Sequence, residues 1–573
     1  MAGIIGIDEY VFTLGILIAF VGTIVSIIFA RKQILSVLKD SGIRWKHVAA
    51  ALIIAALFVS VELAIVKPTQ LLFFDDAIYQ AGAVNLLRTG QAWMCDYGTP
   101  YTCYSGEIFH EPIGTSFTLA IGFALFGVHL GVAYHTMLVV ALVSVFLSFL
   151  VGSVLLKDPI AGLFSELLFG LSPVVLVWSM PTTSDMPMLA YSMLAIFLML
   201  VFLKKKNVFT FMGMLLALSL VAYMKVDAAL YIVVVLFLYI ILERKENIMK
   251  LVRKNVMNTK VLVVILIFAL SVIPEVVYSF TQLTTGSYGY QGSYLQMSCT
   301  PNVPFIQANS SISLQNFEAN LCGNLSFWLN TYKSNYIMQP LFFTLLGIAG
   351  AAAMFLKKRR EMLALVIWFA AFFVLYTSFY GGSVTFGIDW RFMLALIAPA
   401  SIFGGYAMSF SYLKWMQRRK MPIVIAKASG IAVLLVLAFY SFYSLVPLLG
   451  VQPSALPQAG DARFYEGFVY NNSISIPSSC LVFSYDPTLF IVNNRTSAQL
   501  TDIYASSYAS YKSEYSCLVF DRGYWCYTPN NYCTYVQNTF VLQNISTSVY
   551  TQQNKTYGFY YITGIRNSTN STA

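Results

Sequence analysis

Charged side chains are scarce in this chain. Lys, Arg, Asp and Glu make up 10% of its 573 residues, histidine occurs four times, and 58% of the residues are hydrophobic. The mean hydropathy of +0.70 lies far outside the range of soluble globular domains. The sequence therefore predicts a polytopic membrane protein and excludes a soluble enzyme of ordinary composition.

Several signatures are also missing. The chain contains no Gly-x-x-x-x-Gly-Lys-Ser/Thr sequence, which argues against an ATP-driven machine. It shows no internal repeat, whereas secondary transporters usually consist of duplicated halves. The net charge of +10 does not indicate nucleic-acid binding, because the basic residues form short clusters between apolar segments.

These basic clusters predict about twelve transmembrane helices with both termini outside, since positive charge marks cytoplasmic loops. The clusters lie at residues 31–46, 204–206, 244–254, 357–360 and 414–420. The predicted spans are residues 10–30, 47–66, 131–156, 160–180, 187–203, 208–224, 229–242, 260–281, 337–356, 362–380, 391–413 and 424–447. Residues 113–128 are interrupted by three glycines and are predicted to form a re-entrant or interfacial helix.

Cysteines and glycosylation sequons fall only in the segments predicted to be external. The even number of cysteines favours disulfides. Two local pairs are predicted, Cys95 with Cys103 and Cys299 with Cys322. Two further bridges are predicted in the tail among Cys480, Cys517, Cys526 and Cys533, and the sequence leaves their pairing open. The predicted glycosylation sites are Asn309, Asn324, Asn471, Asn494, Asn544, Asn554, Asn567 and Asn570. Both sets indicate an archaeal-type plasma membrane or, in a eukaryotic cell, the ER membrane.

The predicted domains are a membrane body and an extracytoplasmic tail. The body covers residues 1–449 and carries two external loops, residues 67–112 and residues 281–335. The tail, residues 450–573, is rich in Tyr, Ser, Thr and Asn with short alternating apolar runs, which predicts a small β-containing domain with a disordered end.

Two adjacent acids, Asp75 and Asp76, follow the second predicted span. Residues 77–87 show helical spacing and end at Gly90, which predicts an amphipathic helix along the interface with both acids in its first turn. The helix dipole favours ionised acids there. Simple N-terminal capping explains the pair equally well on local sequence alone.

An ordered set of motifs resembles a known family. The set is Asp75-Asp76-Ala77-Ile78-Tyr79 with Leu86-Leu87-Arg88-Thr89-Gly90, His110-Glu111-Pro112-Ile113, Leu125-Phe126-Gly127, Ala161-Gly162-Leu163 to Leu171-Ser172-Pro173, Ser184-Asp185-Met186-Pro187 and Asp389-Trp390-Arg391-Phe392. In order and spacing it resembles the C-type (GT-C) integral-membrane glycosyltransferases, in the protein O-mannosyltransferase and aminoarabinose transferase branch. Asp76 stands where this family usually has Glu, and Glu111-Pro112 replaces its Pro-Pro. The tail lacks the Trp-Trp-Asp-Tyr-Gly sequence of oligosaccharyltransferases.

The resemblance implies roles for the motif residues. Asp75 is the expected base, and Asp76 orients the acceptor or joins Asp75 in holding Mg²⁺ or Mn²⁺. Glu111 is the second choice of catalytic carboxylate. Arg391 is the leading phosphate ligand, with an ion pair to Asp389 as the alternative. The further substrate-binding candidates are Arg88, Lys225, His110, Asp185 and Tyr79, and capping explains Asp185 equally well.

Other polar residues of the predicted membrane body have no assigned role. His110, His129 and His135 lack the spacing of a helical zinc site. Glu62, Glu166 and Glu275 lie within predicted spans, where acids are functional candidates by default.

The expected fold is therefore an all-α GT-C-like membrane protein with a small extracytoplasmic β-containing domain. The expected function is transfer of one sugar from a polyprenyl (dolichyl) phosphate donor to an external protein, lipid or glycan acceptor, by inverting displacement. A secondary transporter and a non-catalytic assembly or receptor protein are the alternatives.

Overall fold

A computed structural model describes the chain at residues 9–65, 73–90, 112–243, 259–285, 341–377, 389–419, 457–527 and 532–566. The helices before the tail are α1 (Glu9–Phe29), α2 (Arg31–Asp40), α3 (Trp45–Ile65), α4 (Phe73–Thr89), α5 (Gly114–Phe126), α6 (Leu130–Leu156), α7 (Pro159–Gly170), α8 (Pro173–Trp178), α9 (Asp185–Lys205), α10 (Val208–Ala222), α11 (Leu230–Leu242), α12 (Thr259–Thr285), α13 (Leu341–Lys357), α14 (Arg359–Thr377) and α15 (Leu394–Arg419). Short 3-10 turns at Val226–Ala229 and Asp389–Met393 precede α11 and α15.

Six helical segments in these ranges are long and apolar enough to cross a membrane. They are Tyr10–Phe29, Trp45–Ala64, Leu130–Leu156, Asp185–Lys205, Thr259–Val277 and Arg391–Tyr412. Five shorter apolar helices accompany them: Gly114–Phe126, Pro159–Gly170, Val208–Ala222, Leu230–Leu242 and Phe343–Lys357. The count of about twelve spans stays a prediction, because the last predicted span, residues 424–447, lies outside the described ranges.

The predicted span at residues 160–180 is wrong, because the structure divides it into α7 and α8. Helix α7 begins at Pro159, where the Asp158 side chain accepts hydrogen bonds from two backbone amides of the first turn. It ends before Pro173, which lacks the N–H that a continuing helix needs and instead starts α8. The loop predicted at residues 31–46 also contains the short helix α2.

One continuous core joins the membrane helices, with α9 and α6 at its centre. Helix α9 packs against α6 and α10, and α7 packs against α6 and α15. The α7–α15 contact needs glycine, since a Cβ on Gly405 would lie 2.5 Å from the Ala161 carbonyl oxygen. The membrane helices are therefore tightly packed where α7 meets α15.

The tail contains a mixed five-stranded sheet with four flanking helices. Its strands are β1 (Cys480–Ser484), β2 (Thr496–Gln499), β3 (Cys517–Arg522), β4 (Phe540–Tyr550) and β5 (Lys555–Ile565), and its helices are α16 (Pro457–Asn472), α17 (Pro487–Val492), α18 (Tyr508–Glu514) and α19 (Tyr532–Thr539). The strand order is β2-β1-β3-β5-β4. Strand β1 runs parallel to β2 and β3, whereas β3, β5 and β4 are antiparallel. The small β-containing domain is thus confirmed.

Two disulfides close the tail. Cys480 is the register partner of Cys517 on the neighbouring strand and is bonded to it, and Cys526 is bonded to Cys533. This resolves the pairing that the sequence left open. Cys95, Cys103, Cys299 and Cys322 lie outside the described residues.

The described sequons are all accessible at the surface. Asn471, Asn494, Asn544 and Asn554 are exposed, as a glycan requires. Asn309, Asn324, Asn567 and Asn570 lie outside the described residues. Glycosylation stays a prediction at all eight positions.

Candidate active site between the acid helix and a buried cation cluster

Helix α4 carries the two adjacent acids and is called the acid helix below. It begins at Phe73, so Asp75 and Asp76 lie in its first turn, where the spacing predicted them. The residues from Asp76 to Val84 are all buried, because protein covers the helix on every side, including α5 and the tail helix α17. The expected amphipathic helix with an exposed polar face is therefore wrong for this stretch.

Asp76 is held by a segment distant in sequence. The Thr182 hydroxyl lies 3.0 Å from Asp76 Oδ1 and 3.1 Å from the Asp76 carbonyl oxygen. The Gln80 side-chain amide donates to the same hydroxyl at 2.9 Å. All three side chains are fully buried. Asp76 thus has a fixed orientation relative to the chain that leads into α9.

Asp185, Lys225 and Arg391 form the cation cluster. Asp185 is the first residue of α9 and is fully buried. Lys225 Nζ donates to Asp185 Oδ1 at 3.1 Å, and Arg391 Nε lies 3.7 Å from Asp185 Oδ2. The side chains of Lys225 and Arg391 keep 16% and 15% exposure, whereas that of Asp185 keeps 1%. One buried carboxylate therefore pairs with two cations, and both cations stay partly accessible.

An aromatic ring completes this arrangement. Lys225 Nζ lies 4.3 Å from the centre of the Phe392 ring, and the Arg391 guanidinium carbon lies 5.1 Å from the same centre. Both distances are within the range of cation–π attraction. The expected phosphate ligands Arg391 and Lys225 are therefore brought together, and Asp185 lies beneath them. The side chain of Asp389, the alternative partner of Arg391, is outside the described part.

The acid helix and the cation cluster are joined by residues 178–185, called the connecting segment below. Thr182 contacts Asp76, and Asp185 holds the two cations. Because three residues span at most about 11 Å, the Cα atoms of Thr182 and Asp185 lie within that distance. A carboxylate and two cations that contact the same short segment suit the transfer of a group from a phosphate to an acceptor.

Other predicted site residues lie elsewhere. Tyr79 belongs to the acid helix, and its side chain is buried in the core. Arg88 lies twelve residues after Asp76, about 18 Å along the helix axis, and donates to Asn494 Oδ1 of the tail at 2.8 Å. His110, Glu111 and the side chain of Asp75 are outside the described residues.

The tail contacts the membrane body at the acid helix. Helix α17 packs against α4, and the Tyr134 hydroxyl of α6 donates to Glu466 of α16. Sequence reasoning missed these contacts, since the pattern of the tail predicts strands and carries no signal for what they pack against.

Two carboxyl groups are buried in the tail near the start of α17. Asp486 precedes the helix, and Asp521 on β3 accepts hydrogen bonds from Ser484 and Tyr465. Burial raises the pKa of Asp486 and of Asp521 to about 7 each. The folding stability of the tail is therefore coupled to pH.

Sequence reasoning also missed Thr182, Gln80 and Phe392. The run Pro181-Thr182-Thr183-Ser184 is a polar interruption between apolar helices, and this was the available signal. In the parts of the chain that the structure describes, no group of three or more His, Cys, Asp or Glu side chains is placed to hold a metal.

Part of the chain matches a known family, and its fold is similar to that of solved structures. Residues 110–275, which include Asp185 and Lys225, match the family described as Dolichyl-phosphate-mannose-protein mannosyltransferase. The structure is similar to ArnT from Cupriavidus metallidurans in the apo state, with a TM-score of 0.51, 14% identity, and coverage of 89% of this chain and 97% of that chain.

ArnT from the same organism bound to undecaprenyl phosphate gives a TM-score of 0.49 at 14% identity, with 90% and 97% coverage. No curated protein matches the chain by sequence. The likeness to apo ArnT establishes a shared fold, and the family match covers Asp185 and Lys225 of the cation cluster but not Arg391. Residues 110–275 thus resemble a mannosyltransferase family, and the described fold resembles that of apo ArnT; together they support a membrane glycosyltransferase that uses a lipid-phosphate sugar donor.

Proposed function

We propose that the protein transfers a single sugar from a dolichyl-type polyprenyl phosphate to a hydroxyl of an external protein, lipid or glycan, with inversion at the anomeric carbon. The observation that carries this proposal is the cation cluster, which is joined by the connecting segment to the buried acid of the acid helix. The donor of the matching family, dolichyl-phosphate mannose, supports this choice of donor.

The cation cluster suits the leaving phosphate. Lys225 and Arg391 each carry a positive charge and Asp185 one negative charge, so these three groups leave one net positive charge beside two partly exposed cations. As the bond from the anomeric carbon to the phosphate oxygen breaks, its electron pair and a further negative charge pass to the phosphate. Because this further charge develops only as the bond breaks, fixed cations lower the energy of the transition state more than that of the bound donor.

The acid helix suits the acceptor. Asp75 takes the proton from the acceptor hydroxyl while the acceptor oxygen bonds to the anomeric carbon, and one displacement inverts the configuration. Asp76 orients the acceptor, since the Thr182 hydroxyl fixes its carboxylate. Glu111 and His110 belong to the same site by motif position.

Mg²⁺ or Mn²⁺ at Asp75 and Asp76 is the remaining cofactor proposal. Hard divalent cations require several oxygen ligands, and the described residues place no group of three acidic or imidazole side chains together. No step is therefore derived through a metal. Activity measured with and without EDTA tests this proposal: a loss in EDTA that Mg²⁺ or Mn²⁺ restores supports a metal at the two acids, and full activity in EDTA argues against one.

The acceptor side is proposed to be extracytoplasmic. Two disulfides in the tail, which contacts the acid helix, suit an oxidising compartment. An archaeal-type plasma membrane or a eukaryotic ER membrane would provide it.

Polyprenyl phosphate release tests the proposal. Purified full-length protein is incubated with dolichyl-phosphate mannose or dolichyl-phosphate glucose and a membrane extract as acceptor. We expect release by the wild type and a loss of at least about 100-fold in Asp75→Asn. Asp40→Asn, at an exposed position of α2, is the matched control and should keep full activity. A wild type that consumes neither donor, or an Asp75→Asn variant as active as the wild type, refutes the proposal.

A further inference from the structure

Glu62 is a buried acid near the outer end of α3. Its exposure is 0%, and neither carboxyl oxygen has a hydrogen-bond partner among the described residues. The Ser179 hydroxyl lies beside it, but its hydrogen bond goes to the Leu176 carbonyl oxygen at 3.2 Å. A buried polar group without a partner costs about 1–3 kcal/mol, so this position calls for an explanation.

Other buried polar atoms of the connecting segment and the acid helix are in the same state. The Trp178 indole nitrogen is buried without a hydrogen-bond partner in the described structure, and so is Gln80 Oε1 on the acid helix. Gln80 reaches the connecting segment through its amide, which donates to Thr182. Unsatisfied donors and acceptors thus occur on the connecting segment, on α3 beside it and on the acid helix.

Their chemistry fits a hydroxyl-rich ligand. The carboxyl of Glu62 and the Gln80 oxygen accept hydrogen bonds, and the Trp178 nitrogen donates one. A sugar hydroxyl both donates and accepts, so it satisfies either kind of group. Ser179, the neighbour of Glu62, is three residues from Thr182, so the Cα atoms of Ser179 and Thr182 lie within about 11 Å of each other. Thr182 in turn contacts Asp76.

We propose that Glu62 determines donor specificity by hydrogen bonding a hydroxyl of the transferred sugar, with Trp178 and Gln80 contacting its other hydroxyls. This inference rests on the proposed function and names the substrate class of the same site as a neutral, hydroxyl-rich hexose. Bound sugar then supplies the hydrogen bonds that the protein itself does not make at these atoms.

Glu166 provides a matched comparison. It is also fully buried, and neither of its carboxyl oxygens has a partner in the described ranges. It lies within α7, which does not belong to the connecting segment or the acid helix. An orphaned acid alone therefore does not define the sugar site, and Glu166 serves as the control for a general effect of removing one.

The test uses Glu62→Met and Glu166→Met in the full-length protein. Methionine has a similar size and removes the hydrogen bond without leaving a protein partner unsatisfied, so both variants should fold. The donors are dolichyl-phosphate mannose or glucose, whichever the wild type consumes faster, and its 2-, 3-, 4- and 6-deoxy analogues. The readout is kcat/KM of each analogue relative to the parent donor, a ratio that does not depend on the fraction of active enzyme.

For one analogue, the wild type should lose about 10- to 100-fold in kcat/KM relative to the parent donor. Glu62→Met should bring that ratio close to one by lowering activity on the parent donor, while Glu166→Met keeps the wild-type ratio. The inference is overturned if Glu62→Met keeps the wild-type kcat/KM ratio for all four analogues, or if Glu166→Met changes the ratio as much as Glu62→Met does. The proposed function stands in either case. A wild type that consumes neither parent donor refutes both.

Discussion

Replacing Arg391 with glutamine should remove the net positive charge of the cation cluster. The remaining pair, Lys225 and Asp185, is separated by 3.1 Å and neutralises itself. The departing phosphate gains about one negative charge in the transition state. At about 5 Å and an effective dielectric constant of about 20, its attraction to one net positive charge is about 3 kcal/mol, which corresponds to a loss of about 100-fold in kcat/KM.

A second substitution separates charge from geometry. Asp185→Asn in the Arg391→Gln background removes one negative charge and restores the net positive charge through Lys225. The double variant should therefore recover about 10-fold of the lost activity. Arg391 and Asp185 are in contact, so such non-additive behaviour is expected if they act through one shared charge.

Release of dolichyl phosphate by the purified protein is the assay for all variants. Arg359→Gln is the matched control, because Arg359 also lies 5.1 Å from a phenylalanine ring, that of Phe355, but on the opposite side of the body at the start of α14. It should keep wild-type activity. A double variant no more active than Arg391→Gln, or an Arg359→Gln variant equally impaired, would refute the electrostatic reasoning.

Two further predictions concern the tail. Because burial raises the pKa of Asp486 and Asp521 to about 7, the unfolded tail loses these protons at lower pH than the folded tail does. The free energy of unfolding of the tail should thus fall as the pH rises from about 4 to about 7, by at most ~4 kcal/mol for each carboxyl. Hydrogen exchange of β1 and β3 at pH 5.5 and pH 8 measures this change. Asp521→Asn should weaken the pH dependence. Arg88→Ala removes the bond to Asn494 and should speed exchange in α17 less than 10-fold, since the contact is exposed; unchanged exchange there would argue against this contact.

The sequence predicts the helices well because their apolar runs have bilayer length. The start of the acid helix also follows from local spacing, and Arg391 was identified by its motif. The partner of Arg391 was not, since Asp185 is far away in the sequence and becomes a neighbour only when α9 and α15 pack in one core. Local pattern likewise left capping and substrate contact equally open for Asp185, whereas the structure shows a carboxylate between two cations.

The tail shows the same limit. Its alternating runs predict strands, but the parallel pairing of β1 with β3 depends on a crossover through α17 and β2 that no local signal specifies. The Cys480–Cys517 bridge follows from that pairing and could not be chosen from three connectivities beforehand. The role of Glu62 was also out of reach, because it depends on which atoms lack partners after folding.

The central claim is transfer of a single sugar from a lipid phosphate, and labelled donor tests it most directly. Purified wild-type protein would receive dolichyl phosphate carrying radiolabelled mannose or glucose together with the membrane extract. The account predicts that label enters an acceptor in equal amount to the dolichyl phosphate released, and that Arg391→Gln reduces both about 100-fold. Label that stays on dolichyl phosphate for both donors would contradict it.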